Sequence, residues 1–222
     1  MPVTEFPTLK SAELGMEEEM ITLYQSINSL RSGDQKNKVI QFISTEEQEG
    51  TTTIVGELAR VTALKYNKSV LILDADLRKL DPHSFFNIKL EHSLEEILRQ
   101  GESVDKALYQ VAHSSLFLSQ LFQDSGSVRQ FIDPAGMDDI LENLKKRFDF
   151  VFIDSPPDSV FSIGLAASTS VNGVVLILDE EKTCLDAAKK ITKKITNNGG
   201  KILGTVVNKQ RNYIPDFIYN RI

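Results

Sequence analysis

The residues with the clearest chemical potential are carboxylates that close apolar runs. Asp74 and Asp76 follow Val70-Leu71-Ile72-Leu73, and Asp154 follows Phe150-Val151-Phe152-Ile153. A carboxylate at the end of a buried strand can orient Mg²⁺ or its water shell. Two carboxylates two residues apart on a strand point the same way, and like charges so placed call for a cation. The pattern predicts a metal site that includes Asp76 and Asp154, with Asp74 and Asp76 as the acidic groups at the reacting centre if the chain is catalytic. A third run, Val39-Ile40-Gln41-Phe42-Ile43, enters Ser44-Thr45-Glu46-Glu47-Gln48-Glu49-Gly50-Thr51-Thr52-Thr53 ahead of a helical pattern. A strand passing through a glycine-containing turn into a helix is where backbone N–H groups cradle phosphate. A lysine there reaches the β and γ phosphates, and a hydroxyl holds Mg²⁺. Gly50 and Thr52 fit that arrangement, while Thr51 stands where the lysine belongs. Taken alone, the segment also reads as a polar strand-to-helix turn with threonine caps.

These residues need elements to hold them. Strands are expected at Val39 to Ser44, Val70 to Asp74, Leu116 to Phe122, Phe150 to Asp154, Val174 to Leu178 and Ile202 to Asn208. Several are almost continuously apolar, as strands covered on both faces must be. Helical patterns separate them, notably Thr53 to Tyr66, Ser93 to Arg99, Gly136 to Arg147 and Thr183 to Asn197, the last closed by Gly199-Gly200. Alternation of this kind specifies an α/β fold, a doubly wound and mostly parallel sheet with helices on both faces, whose ligands sit at the carboxyl ends of the strands.

The chain of 222 residues is long enough for one such domain and short for two. Residues 1–35 read as a helical arm and linker, 36–209 as the core, and 210–222 as a tail with Pro215 and no clear period. In the arm, Leu14, Met16, Met20, Leu23, Ile27 and Leu30 recur near helical spacing. This stripe either folds back on the core or docks on a partner through Met20, Leu23 and Ile27. A net charge of -6 argues against a nucleic-acid or anionic-membrane surface. The single cysteine, Cys184, cannot form an internal disulfide and fits a reducing cytoplasm. No stretch approaches the roughly 20 apolar residues that span a bilayer. His83, His92 and His113 lack metal-ligand spacing and are read as structural.

Taken in order, these motifs resemble the bacterial tyrosine autokinases that govern capsular and exopolysaccharide chain length, P-loop proteins related to the partitioning ATPases. The similarity runs from about Glu19 to Gln210. It is carried by Val70 to His83, with its Asp-Leu-Arg and following His, and by Phe148 to Pro157, with its Pro-Pro; fainter echoes lie at His92 to Leu98 and Ile202 to Asn208. The resemblance implies ATP or ADP with Mg²⁺ as cofactors. Gly50, Thr51, Thr52, Thr53 and Arg78 would face the nucleotide, and Thr52, Asp76 and Asp154 the metal. It also implies a membrane polysaccharide co-polymerase as partner and recruitment to the inner face of the membrane, while the charge balance leaves no nucleic-acid partner expected.

The departures from the family are chemical. Where the family carries Pro-Gly-x-Gly-Lys-Ser/Thr, this chain has Glu47-Gln48-Glu49-Gly50-Thr51-Thr52. A charge-assisted hydrogen bond of the kind that lysine makes is worth about 1.5–3 kcal/mol, and Glu46, Glu47 and Glu49 are expected to oppose phosphate further. Glu46 also replaces the earlier signature lysine of the partitioning ATPases, which disfavours that class. The family's ring-forming Glu-x-x-Arg-x-x-Arg corresponds to Glu19-x-x-Thr22-x-x-Gln25, and the tail tyrosine cluster is reduced to Tyr213 and Tyr219. The expectation is a pseudokinase that regulates or binds, with weak or absent nucleotide binding and self-association without the usual ring. The alternative is a slow tyrosine kinase or ATPase in which Arg78 or Lys79 replaces the lost lysine.

Overall fold

The computed structural model describes residues 14–29, 37–76, 90–122, 134–159 and 167–210. Arg78, Lys79, His83, Tyr213 and Tyr219 lie outside them. In chain order the elements are α1 (Leu14–Ser29), β1 (Lys38–Ser44), α2 (Thr51–Lys65), β2 (Val70–Asp74) and α3 (Leu94–Arg99). A 3₁₀ turn (Val104–Ala107), β3 (Tyr109–Gln110), β4 (Leu116–Gln120), α4 (Pro134–Lys145) and β5 (Phe150–Asp154) follow. The chain then forms β6 (Gly173–Asp179), α5 (Leu185–Asn197) and β7 (Ile202–Asn208).

Among the described residues the strands form one seven-stranded sheet in the order β3-β4-β2-β5-β1-β6-β7. Every pairing is parallel except the short β3 against β4. All residues of β1, β2 and β5 are buried, which is why these strands read as unbroken apolar runs. Their side chains alternate between two layers. Ile40, Phe42, Val70, Ile72, Phe150 and Phe152 pack with α1 and α2, whereas Val39, Leu71, Leu73, Val151 and Ile153 pack with α3 and α4. Beside the second layer, Ile191 and Ile195 of α5 cover Ile43, Val174 and Leu176. The doubly wound architecture expected from the sequence is the one observed.

The arm folds back on the core. Met20, Tyr24 and Ile27 are buried in the cluster built on α2, and Tyr24 stacks on Tyr66 with ring centroids 3.8 Å apart. Lys38, at the first position of β1, donates to the carbonyls of Ile27 (2.9 Å) and Asn28 (2.8 Å). It thus satisfies orphan carbonyls at the carboxyl end of α1 with a favourable charge, and its burial pushes its pKa down. Glu19, Thr22 and Gln25 lie exposed on the opposite side of α1, where Thr22 bonds back to the carbonyl of Glu18 at 3.1 Å.

Two differences from the sequence-based expectation matter for the site. Helix α2 begins at Thr51, two residues before the expected Thr53, so the threonine run is its first turn. The edge strand β3 has two residues and no periodic signature. Cys184 is exposed and occupies the residue before α5, whose first turn starts at Leu185. At the other end of α5, Gly199 has φ +89° and Gly200 donates its N–H to Ile195 O at 2.9 Å, closing the helix as expected.

Candidate functional site

The carboxyl ends of β1, β2 and β5 open on a polar cavity of about 370 Å³. Its wall is Ser44, the run Glu46 to Thr53, Asp76, Asp154, Ser155, Pro157 and Lys209. The site lies where doubly wound sheets bind ligands, and most expected residues converge there: Gly50, Thr51, Thr52, Thr53, Asp76 and Asp154.

The loop from β1 to α2 holds its shape through two left-handed turns. Gly50 has φ +95° and ψ 18°, and Gln48 has φ +63°. The first conformation suits glycine; the second is uncommon for a glutamine, and Gln48 sits where the resembled family carries its first loop glycine. A Cβ on Gly50 would stand 2.2 Å from Asn208 Nδ2, so the tip of β7 fits against bare backbone. Asn208 Nδ2 donates to Glu49 O at 2.8 Å, and Lys209 Nζ donates to Gln48 O. Neither role for Asn208 and Lys209 was read from the sequence. The Asn208-Lys209 pair at a strand's carboxyl end was the available signal.

The candidate metal side draws on α2 and on the carboxyl ends of β2 and β5. Thr52 Oγ1 donates to Asp154 Oδ2 at 2.7 Å, bringing a hydroxyl and a carboxylate to one point as a Mg²⁺ site requires. Asp76 and Asp154 are both buried and both line the cavity. Asp74 lies differently. It ends β2, its Oδ1 accepts the N–H of Asp76 at 2.8 Å, and it is not part of the cavity wall. Of the two carboxylates expected to share a face, only that of Asp76, beyond the end of β2, lines the cavity. The donor set of Thr52, Asp76 and Asp154 fits a hard cation held with part of its water shell.

The phosphate side keeps backbone and lacks charge. The first N–H groups of α2 have no intrahelical acceptor, and the N-cap residue Gly50 offers no side chain to cap them. Thr51, at the lysine position, is buried, and its hydroxyl has no hydrogen-bond partner among the described residues. Among the described residues Lys209 is the one cation in the wall, and it is committed to Asp179 Oδ2 at 2.8 Å as well as to the loop. The Lys209 hydrogen bond holds the Asp179 carboxyl below its ordinary range against the opposing effect of burial, helped by the N–H of Glu181.

The acidic loop residues do not act alike. Glu46 and Glu47 are exposed in the wall, whereas Glu49 is 1% exposed. Its carboxylate turns inward, accepting from Thr45 N (2.7 Å), Glu46 N (3.1 Å), Thr45 Oγ1 (3.0 Å) and Thr183 Oγ1. Thr45 and Thr183 are not part of the cavity wall.

Comparison with known proteins agrees with this geometry. Residues 37–203 match the family model described as an AAA domain. The chain is 23% identical over 193 residues to the putative tyrosine-protein kinase CapB of Staphylococcus aureus, covering 85% of each. It is 24% identical over 190 residues to the tyrosine-protein kinase Ptk of Acinetobacter johnsonii, using 83% of this chain and only 26% of that longer protein. Its structure superimposes on the kinase domain of the Escherichia coli tyrosine kinase Etk with a TM-score of 0.76 at 20% identity, covering 90% of this chain and 79% of that one. With its P-loop topology and these bacterial tyrosine-kinase relatives, the chain belongs to the AAA domain family.

Proposed function

We propose that the chain is a tyrosine-kinase-family domain of capsule or exopolysaccharide biosynthesis that acts as a binding or regulatory module rather than as an efficient kinase. The charge balance of the cavity carries this reading. Thr51 replaces the lysine, and Lys209 already neutralises Asp179. A transferring phosphoryl group needs preorganised positive charge around it. Two exposed carboxylates, Glu46 and Glu47, stand in the wall instead. ATP or ADP with Mg²⁺ would use Thr52, Asp76 and Asp154 on the metal side, and the backbone of Gly50 to Thr53 on the phosphate side, with weak affinity.

A membrane co-polymerase is the partner this reading implies, holding the domain at the inner face of the membrane. No helix among the described residues is long and apolar enough to cross a bilayer. The second reading, a slow kinase or ATPase, draws support from the Thr52–Asp154 hydrogen bond, which keeps the metal side in order. Arg78 or Lys79 would then supply the missing charge.

Titrating Mg-ATP and Mg-ADP by calorimetry, together with a turnover assay, separates the two. The expected result is dissociation constants no tighter than millimolar and background hydrolysis. Magnesium-dependent turnover abolished by Asp154→Ala establishes the second reading instead.

A further inference from the structure

By sequence Glu49 looks like an obstacle to phosphate; its placement gives it the opposite role. We propose that Glu49 is a positioning residue for the phosphate loop: its buried carboxylate, clamped by Thr45, Glu46 and Thr183, fixes the left-handed turns at Gln48 and Gly50 that bring residues 48–53 to the cavity wall. This rests on the reading of that loop as a phosphate site.

The hydrogen bonds are directional. An ionised carboxylate only accepts, and Glu49 receives two backbone N–H groups and two hydroxyls from its surroundings. Thr183 Oγ1 accepts the N–H of Asp179 at 2.8 Å, so its single hydroxyl hydrogen is free to point at Glu49. The end of β6 is thereby linked through one threonine to the inside of the loop. From the opposite side, Asn208 of β7 holds the Glu49 carbonyl at 2.8 Å. Residue 49 is held at its side chain by Thr45, Glu46 and Thr183 and at its backbone by Asn208 of β7, and the two left-handed residues, Gln48 and Gly50, flank it. Gln48 gains nothing from its own conformation, so the surroundings must impose it. The carboxylate's orientation also explains its burial: a charge 1% exposed is stable only when fully hydrogen-bonded.

The test is amide-resolved NMR on the whole chain without nucleotide, so it does not depend on whether phosphate binds. Glu49→Gln keeps the shape but turns an NH₂ group toward donors. Expected are an increase of at least tenfold in amide exchange at Thr45 and Glu46, and displaced backbone resonances at Gln48 and Gly50, with β2 and β5 amides as in the wild type. Thr183→Val, at a half-buried site, should act in the same direction, and Thr183→Ser should restore wild-type behaviour. If Glu49→Gln does not fold, the Val and Ser pair at 183 decides. Unmoved Gln48 and Gly50 resonances in Thr183→Val, a serine variant as loose as valine, or equal loosening of β2 and β5 overturns the proposal. None of these outcomes bears on the phosphate reading, which the calorimetric titration tests separately.

Discussion

Thr52 and Asp154, 102 residues apart in the chain, meet at 2.7 Å through a hydrogen bond from hydroxyl to carboxylate. The contact depends on sheet order. β1 and β5 are neighbours with Phe42 registered on Asp154, so the helix that continues from β1 begins directly over the end of β5. A parallel sheet therefore brings together the hydroxyl and carboxylate proposed to hold the metal, whatever becomes of the phosphate side.

Gly50 is the position in the loop least tolerant of a side chain. At φ +95° an alanine pays about 1–2 kcal/mol in backbone strain. Its Cβ would also displace Asn208 Nδ2, costing a hydrogen bond of about 0.5–1.5 kcal/mol. At about 2–4 °C per kcal/mol for a chain of this size, Gly50→Ala should melt roughly 3–14 °C below wild type in differential scanning calorimetry. Gly101→Ala is the control. It has φ +69° with nothing within 4 Å of the new Cβ, so its loss should be clearly smaller.

The Lys209–Asp179 pair predicts a pH signature. Lys209 holds the folded Asp179 carboxyl below its ordinary value, whereas unfolding returns it to about 3.9. The stabilisation is then fully present above the unfolded value and is lost as pH falls through the folded one. Lys209→Met should be less stable than wild type at pH 7, and the gap should narrow towards pH 3. Urea unfolding at a series of pH values measures it, and a gap that is constant or widens in acid contradicts the assignment.

The sheet, its order of strands and helices, and the acidic ends of β2 and β5 were legible because buried parallel strands must be apolar throughout. The loop was legible as a position but not as a shape. Nothing local in Gln48 announces a φ of +63°, since the groups that hold its neighbour Glu49 include Thr183 and Asn208, far along the chain, as well as Thr45 and Glu46. The role of Glu49 was hidden for the same reason. A carboxylate beside a phosphate loop reads as repulsive until the donors that enclose it are known. Asp74 and Asp76 read alike in the sequence, but β2 ends at Asp74 and of the two only Asp76 lines the cavity.

Glu19, Thr22 and Gln25 lie exposed on α1 while its apolar side is used by the chain's own core. No arginine stands at the two positions where the resembled family has them. Light scattering at micromolar concentration should therefore find a monomer or small oligomer. A stable octamer that survives moderate salt would show that other contacts close a ring.

Restoring the phosphate contacts separates a site that has lost its charge from one whose geometry has moved. The variant Glu47→Pro, Gln48→Gly, Thr51→Lys puts a glycine at the left-handed position of Gln48. There it removes a conformational penalty. Thr51 is buried with an unpartnered hydroxyl in the cavity wall, so a lysine from that position starts at the wall where phosphate would lie. Glu49 is left in place because its carboxylate serves the loop from within. One charge-assisted contact of about 1.5–3 kcal/mol should tighten Mg-ATP by roughly ten- to a hundredfold, read by calorimetry against wild type. Turnover need not follow, because binding and positioning of a tyrosine substrate are separate requirements. A folded triple variant that binds Mg-ATP no better than wild type would mean that the N-terminus of α2 is not the phosphate site, although Thr52 and Asp154 meet beside it.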